Sequence, residues 1–474
     1  MVFSSSIFLF VFLPIVLSIY FIAPQKYKNA ILLLSSIFFY SWGAPKFIFV
    51  ILLTTFLDFF LVRKLYDSES KLSRQVLLIL SLSLNLGLLF YFKYSNFFIE
   101  NINFFLKGFG IHEIGWVKLV LPIGISFYTF ESLTYVIDVY RRVHAPLKNF
   151  WEYQLYIILF PKLIAGPIIR YHDIADQIKD RQSRETTEYR INGLFRFIIG
   201  LAKKILIANV LGEFADKAFA LPIDQVNSSV AWLGMLCYTF QIYFDFSGYS
   251  DMAIGLAMMF GFKFPENFNN PYISQSITEF WRRWHITLGA WMKNYLYIPL
   301  GGNKVKSQYR LYTNLWIVFL ASGLWHGASW NFVIWGAYHG FFLVLERMFL
   351  LKVYSKIGKA ASIFVCFLIV NIGWVYFRAE SLSTANQILA KLFSFDFNPL
   401  PIRFDQKMLG VLICAIIAVF LWAFKRNEEF QETILKTITP KWLAIKLVTY
   451  VILFVVCSSY IVASDFNPFI YFRF

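Results

Sequence analysis

Two of the six histidines in this sequence stand among indoles and charged side chains, where an imidazole could take a proton from a hydroxyl. His326 follows the apolar run Leu311–Leu324, and Gly327 directly after it is a natural helix terminator. Trp325, Trp330 and Asn331 supply N–H donors close by in the chain. His285 lies in Thr278–Met292, where Trp281, Trp284, Leu288 and Trp291 form one aromatic stripe at helical spacing. Glu279, Arg283 and Ala290 fall opposite that stripe, and His285 sits on its edge. On an amphipathic helix at the membrane surface His285 would be a bystander. Yet Asn294–Gly302 turns the chain back, and a helix that re-enters could carry His285 into a cavity.

A third polar cluster, Tyr238–Asp251, places Gln241, Asp245, Ser247, Ser250 and Asp251 among aromatics. It can be a break between helices Val230–Phe246 and Met252–Phe260, capped by Asp245 or Asp251, or it can touch a substrate or cofactor. His112, His144 and His172 fall in loops, and His339 inside a helix is expected to be a satisfied buried residue. The sequence has no H-E-x-x-H zinc motif, no G-x-x-x-x-G-K-[ST] phosphate loop and no G-x-S-x-G nucleophile elbow. The four cysteines, Cys237, Cys366, Cys414 and Cys457, are widely spaced within apolar runs and make neither a metal knuckle nor a disulfide framework. No metal site is expected. Histidine base catalysis in a membrane cavity remains.

The elements that must position these residues are apolar helices. The chain has 474 residues, 58% hydrophobic and only 15% charged, with a mean hydropathy of +0.58. That leaves too little polar surface for a soluble domain and room for roughly ten to twelve transmembrane helices. Apolar runs are continuous rather than alternating, which excludes a membrane β-barrel. Lys+Arg 44 against Asp+Glu 28 gives +16, but the basic residues sit in short loops such as Arg63-Lys64, Arg141-Arg142, Lys304 with Lys306, and Lys425-Arg426. This is the positive-inside pattern, which also favours anionic lipid; it points away from nucleic acid and leaves a polyphosphate coenzyme as a ligand.

The first run, Ile7–Ala23, lacks the basic flank of a cleaved signal and is expected to be a retained helix with its N-terminus outside. Ala30–Trp42, Phe47–Val62, Val76–Phe92 and Leu119–Tyr140 then alternate across the membrane. Tyr153–Ile169, interrupted by Pro161 and Pro167, is expected to be a re-entrant or interfacial element. Arg170–Asn192 has the character of a surface helix, and Phe195–Leu211 that of a tilted helix with Lys203 and Lys204 snorkelling. Segment 264–302 is too polar to cross. Leu311–Leu324, Phe332–Phe349, Ile363–Val375, Val411–Phe424 and Leu447–Ala463 complete the candidate spans. No polar stretch is long enough for a second domain, so residues 1–474 are expected to form one membrane-embedded domain.

At these same residues the chain resembles the membrane-bound O-acyltransferase family, in its bacterial branch concerned with alginate O-acetylation. The resemblance runs nearly end to end. It is carried by Gly124-Ile-Ser-Phe-Tyr-Thr-Phe130, Phe160-Pro-Lys-Leu-Ile-Ala-Gly-Pro167, Gln241-Ile-Tyr-Phe-Asp-Phe-Ser-Gly-Tyr-Ser-Asp251 and Phe264-Pro-Glu-Asn-Phe-Asn-Asn-Pro-Tyr272. Glu279-Phe-Trp-Arg-Arg-Trp-His285, Leu324-Trp-His-Gly-Ala-Ser-Trp-Asn331 and the terminal Phe469-Ile-Tyr-Phe-Arg-Phe474 extend it. The resemblance implies an all-α polytopic fold with re-entrant helices around a central funnel. It maps the family's membrane histidine onto His326 and a second active-site histidine onto His285.

It further implies a cytoplasmic acyl-thioester donor, acetyl-CoA, with no permanently bound cofactor, and a polysaccharide acceptor outside the bacterial inner membrane. His326 would then be the general base, with Asn331, an indole N–H or His285 at the oxyanion. Arg282, Arg283 and Lys293 would meet coenzyme phosphates, although a solvated basic face explains them equally. Because no soluble acyltransferase domain is fused to the chain, an extracytoplasmic SGNH-type acyltransferase is the expected partner. The rivals are acylation of a lipid, teichoic acid or peptidoglycan within the same fold, and a transporter or flippase whose polar cavity only conducts.

Overall fold

The computed structural model describes residues 1–397, 405–421 and 440–464; Lys425-Arg426 and Phe469–Phe474 lie outside them. Helices account for every regular element among the described residues, with no strand. Among the described residues, four helices are long and apolar enough to cross a membrane: Lys71–Gly108, Trp330–Ile357, Lys359–Arg378 and Ala444–Ala463. The chain divides into two compact units interleaved in sequence. One takes Met1–Arg190, Ala257–Pro265 and Gly327–Ser329; the other takes Ile191–Leu256, Glu266–His326 and Trp330–Phe474.

The first unit holds α1 (Leu13–Ile22), α2 (Lys28–Gly43), α3 (Ile48–Asp67), α4 (Lys71–Leu89), α5 (Ser95–Gly108) and α6 (Ile125–Tyr140), followed by the short α7 (Phe150–Ile158), α8 (Phe160–Leu163) and α9 (Tyr171–Lys179). The interruption expected in Tyr153–Ile169 is present. α7 ends at Ile158 and Leu159 leaves the helical region, with ψ 111°. Pro161 has no amide hydrogen to continue the ladder, and the backbone N–H of Phe160 donates instead to Ser36 Oγ at 3.0 Å. Lys162 carries its ammonium into this break, where it meets the equally buried Glu131 carboxylate. A broken helix at apolar depth survives only when its freed backbone groups and charges find such partners.

The second unit begins with α10 (Thr187–Ala202), which continues through a π-helical turn, Lys203–Ala208, into α11 (Asn209–Ala220). Next comes α12 (Ser228–Met259), 32 residues without interruption. The sequence suggested a polar break here, with Asp245 or Asp251 as a cap; both lie inside one helix. Gly248 is not a breaker but a contact. A Cβ on it would fall 2.7 Å from Gly200 O, and one on Gly200 would fall 2.4 Å from Gly248 O. α10 and α12 therefore touch backbone to backbone, a packing open only to small residues. That closeness turns Lys203 and Lys204 inward, contrary to the snorkelling expected of them. Lys204 Nζ stands 2.8 Å from Asp245 Oδ1, both side chains almost fully buried.

After α13 (Ile277–Arg283) and α14 (Ile286–Trp291), α15 (Gln308–His326) and α16 (Trp330–Leu345) form a tight hairpin, followed by α17 (Leu351–Ile357), α18 (Lys359–Arg378), α19 (Leu382–Leu392) and α20 (Gln406–Phe420). Glycine again sets the spacing. A Cβ on Gly323 would lie 2.2 Å from Phe332 O, and one on Gly336 2.3 Å from Phe319 O. Gly323→Val should therefore wedge α15 from α16 and destabilise the fold by about 1–3 kcal/mol. Thermal melting of the detergent-solubilised protein should show the drop, while Gly87→Ala, where a Cβ meets nothing within 4 Å, should melt like the parent.

Candidate active site

His326 is the last residue of α15, and the Gly327 that follows starts the loop into α16, as its type predicted. Its side chain is 5% exposed. Three rings stand edge-on to its imidazole: Trp325 at 5.0 Å, Trp335 at 5.1 Å and Phe377 at 5.3 Å between centroids. Trp335 comes from α16 and Phe377 from the last turn of α18, so two helices wall the ring. A cavity of about 10 Å³ opens beside it, lined also by Ile242, Phe246, Trp284 and Trp374. That is room for one water.

His285 reaches the same place from a different kind of element. The continuous amphipathic helix expected over Thr278–Met292 is broken: α13 ends at Arg283, Trp284 is extended, and His285 takes left-handed dihedrals (φ 45°, ψ 52°). With that bend His285 leaves the edge of the stripe and is 1% exposed. It packs on Phe246 of α12 at 4.7 Å and on Trp325 at 5.9 Å. The imidazoles of His285 and His326 lie 6.4 Å apart between centroids. Burial pushes the His285 imidazole down to about 3, so the ring is neutral at physiological pH.

Among the described residues, a left-handed conformation occurs at only a few non-glycine positions, and Asn267 holds this one. Its backbone carbonyl accepts the Ile286 N–H at 2.9 Å. Its side-chain Oδ1 lies 3.1 Å from His285 Nδ1 and 2.9 Å from Thr287 Oγ1. Asn267 stood within one of the quoted sequence motifs but carried no signal of its own; a short amide becomes informative only once the chain brings it back against residue 285.

The remaining expected site residues are dispersed. Arg282 and Lys293 are exposed. Arg283 Nε donates to Glu279 Oε1 at 2.9 Å and its Nη1 to Asn269 O at 3.2 Å. Asn331 is buried at the start of α16 and donates to Ala379 O at 2.6 Å, tying α16 to the end of α18. His339 differs from expectation: fully buried between Trp281 and Trp335, it has no hydrogen-bond partner at either ring nitrogen among the described residues.

Behind Asn267 lies a charged cluster. Arg196 of α10 donates to Asp251 Oδ1 at 3.0 Å and to Glu266 Oε1 at 2.6 Å, and Lys203 Nζ donates to Asp251 Oδ2 at 2.6 Å. Ser250, next to Asp251, accepts from Asn267 Nδ2 at 3.0 Å. Arg196 of α10 and Lys203 of the turn after it thus hold α12 and the Glu266–Asn267 segment, which in turn borders His285.

An all-helical membrane protein with two buried histidines facing each other in an aromatic enclosure fits a known class. The chain belongs to the membrane-bound O-acyltransferase family, whose model matches residues 139–377, and it is an O-acyltransferase. It is 42% identical over 443 residues to the probable alginate O-acetylase of Pseudomonas aeruginosa, covering 93% of this chain and 84% of that protein. The corresponding Pseudomonas putida protein is 40% identical over 490 aligned positions, with both chains covered completely. The peptidoglycan O-acetyltransferase of Helicobacter pylori is 37% identical over 422 residues, covering 82% of this chain and 79% of that protein.

The buried pair between α11's preceding turn and α12 gives a direct test. Lys204→Met leaves Asp245 without its cation and should cost about 3–5 kcal/mol, whereas Lys204→Met with Asp245→Leu should recover most of it. Fluorescence-detected size-exclusion after graded heating reads both.

Proposed function

We propose that this protein takes an acetyl group from a cytoplasmic thioester, acetyl-CoA, and relays it across the bacterial inner membrane for O-acetylation of an extracytoplasmic polysaccharide. The observation that carries the reading is the enclosure of His326 and His285, 6.4 Å apart, within an O-acyltransferase chain. The acetyl group and the glycan acceptor come from the activities by which the similar proteins are named: alginate O-acetylase and peptidoglycan O-acetyltransferase.

In this mechanism His326 accepts the proton of the acceptor hydroxyl as its oxygen attacks the thioester carbonyl carbon. The tetrahedral intermediate collapses with loss of the carbon–sulfur bond, and the thiolate leaves with the proton that His326 has held. Such base assistance contributes about 10²–10⁴-fold. Neutral imidazole is the form required of the base. In this reading His285, an indole N–H or Asn331 stabilises the oxyanion. The space beside His326 holds about one water, so both substrates enter only when the aromatic walls part. Exposed Arg282 and Lys293, with Arg283 beside them in sequence, offer cations to the coenzyme phosphates.

The wider setting follows the same reading: ten to twelve helices around a central funnel, multi-pass in the inner membrane, handing acetyl to an SGNH-type acyltransferase outside. The relative acting on peptidoglycan supports a second acceptor, wall glycan in place of alginate. In proteoliposomes supplied with labelled acetyl-CoA, the parent protein should transfer label to the acceptor glycan and His326→Ala, expressed and folded normally, should not. Label conducted but never transferred would contradict acyl transfer, and transfer untouched by His326→Ala would contradict His326 as its base.

A further inference from the structure

We propose that Asn267 is a positioning residue: it fixes the tautomer of His285, keeping the proton on Nδ1 and leaving Nε2 as the basic nitrogen. The inference rests on the acyl-transfer reading above and concerns how that site is held.

The assignment comes from which atoms can only donate. Oδ1 of Asn267 faces three groups: the Thr287 backbone N–H at 3.4 Å, Thr287 Oγ1 at 2.9 Å and His285 Nδ1 at 3.1 Å. A backbone N–H never accepts, so the amide must present its oxygen to this side. An imidazole nitrogen facing that oxygen must then carry the hydrogen. At the other end of the amide, Nδ2 donates to Ser250 Oγ at 3.0 Å. A flipped amide would set its NH₂ against the Thr287 N–H. One side chain, 1% exposed, is thereby locked in orientation from both ends.

The backbone reinforces the side chain. Asn267 O accepts from Ile286 N at 2.9 Å and Asn269 N donates to Arg283 O at 2.9 Å, so the segment brackets the bend at His285. Glu266 is held by Arg196, which prevents the segment from sliding. In the opposite tautomer the Nδ1 lone pair would face the Asn267 carbonyl lone pairs, a repulsion that the locked amide cannot relieve. Among the described residues, the titratable and charged groups around the Asn267–His285 pair are His326 across the enclosure and Tyr243, Lys203, Asp251, Glu266 and Arg196 on the side of Asn267 and Ser250.

The test compares Asn267→Leu with Asn267→Asp in the full chain, each checked for a monodisperse elution profile. With acetyl-CoA and acceptor glycan, Asn267→Leu should lower kcat about 10–100-fold, the order expected when the group orienting an imidazole is lost, with KM for acetyl-CoA unchanged. Asn267→Asp keeps an acceptor for Nδ1–H and should restore most of kcat. Its carboxylate also favours the imidazolium, so the acid limb of the kcat–pH profile should move to higher pH, which a purely structural role would not do. Full kcat in Asn267→Leu, or an Asp variant that is as slow as Leu or keeps the parental pH profile, would overturn the inference. His326→Ala run alongside separates the two readings: inactive, it leaves the histidine-base reading standing whatever Asn267 does; active, that reading itself falls.

Discussion

Asp245 and Asp251 are the only charged side chains that α12 carries in its 32 residues, and burying them uncompensated would cost more than a membrane helix can recover from packing. Lys204 answers the first, and Lys203 with Arg196 the second. The pairing demands that α10 and α12 approach within backbone contact, which Gly200 and Gly248 permit. Once the two helices are locked, Phe246 and Ser250 of α12 have fixed positions, one against the ring of His285 and the other against the amide of Asn267. Charge compensation on one face of α12 thereby sets the geometry of the opposed histidines.

The second organising feature is the aromatic excess. Phe, Trp and Tyr make up 20% of the chain, and in the second unit they gather around His326, His285 and His339 rather than spreading evenly. Edge-on rings give each imidazole a close, dry environment with little polar competition. Burial holds the His285 imidazole neutral. Only a water-sized space remains beside His326.

Much of this was legible in the residues. The apolar runs marked the helices, Pro161 marked the broken helix after α7, and Gly327 marked the end of α15 at His326. What escaped was non-local. Gly248 and the acids flanking it looked like a break in α12, because nothing in the sequence reveals that Gly200, Arg196 and the two lysines after α10 come to meet them. Lys203 and Lys204 looked like snorkelling lysines for the same reason: their partners, Asp251 and Asp245, are distant in sequence. The break at Trp284–His285 has neither glycine nor proline to announce it. A histidine with positive φ is held there by Asn267, and only the folded chain shows that contact. The chemistry of the site was carried by residue type; its geometry was set by pairs distant in sequence.

The central claim is that His285 and His326 act as one unit inside a shared enclosure. A double-mutant cycle on acetyl transfer in proteoliposomes measures it most directly. If the two imidazoles are one unit, His285→Ala should be severely slowed, His326→Ala inactive, and the double variant no worse than His326→Ala alone, because removing either member forfeits most of what the pair provides. Losses that simply multiply, or a His285→Ala protein that transfers acetyl at the parental rate, would contradict it.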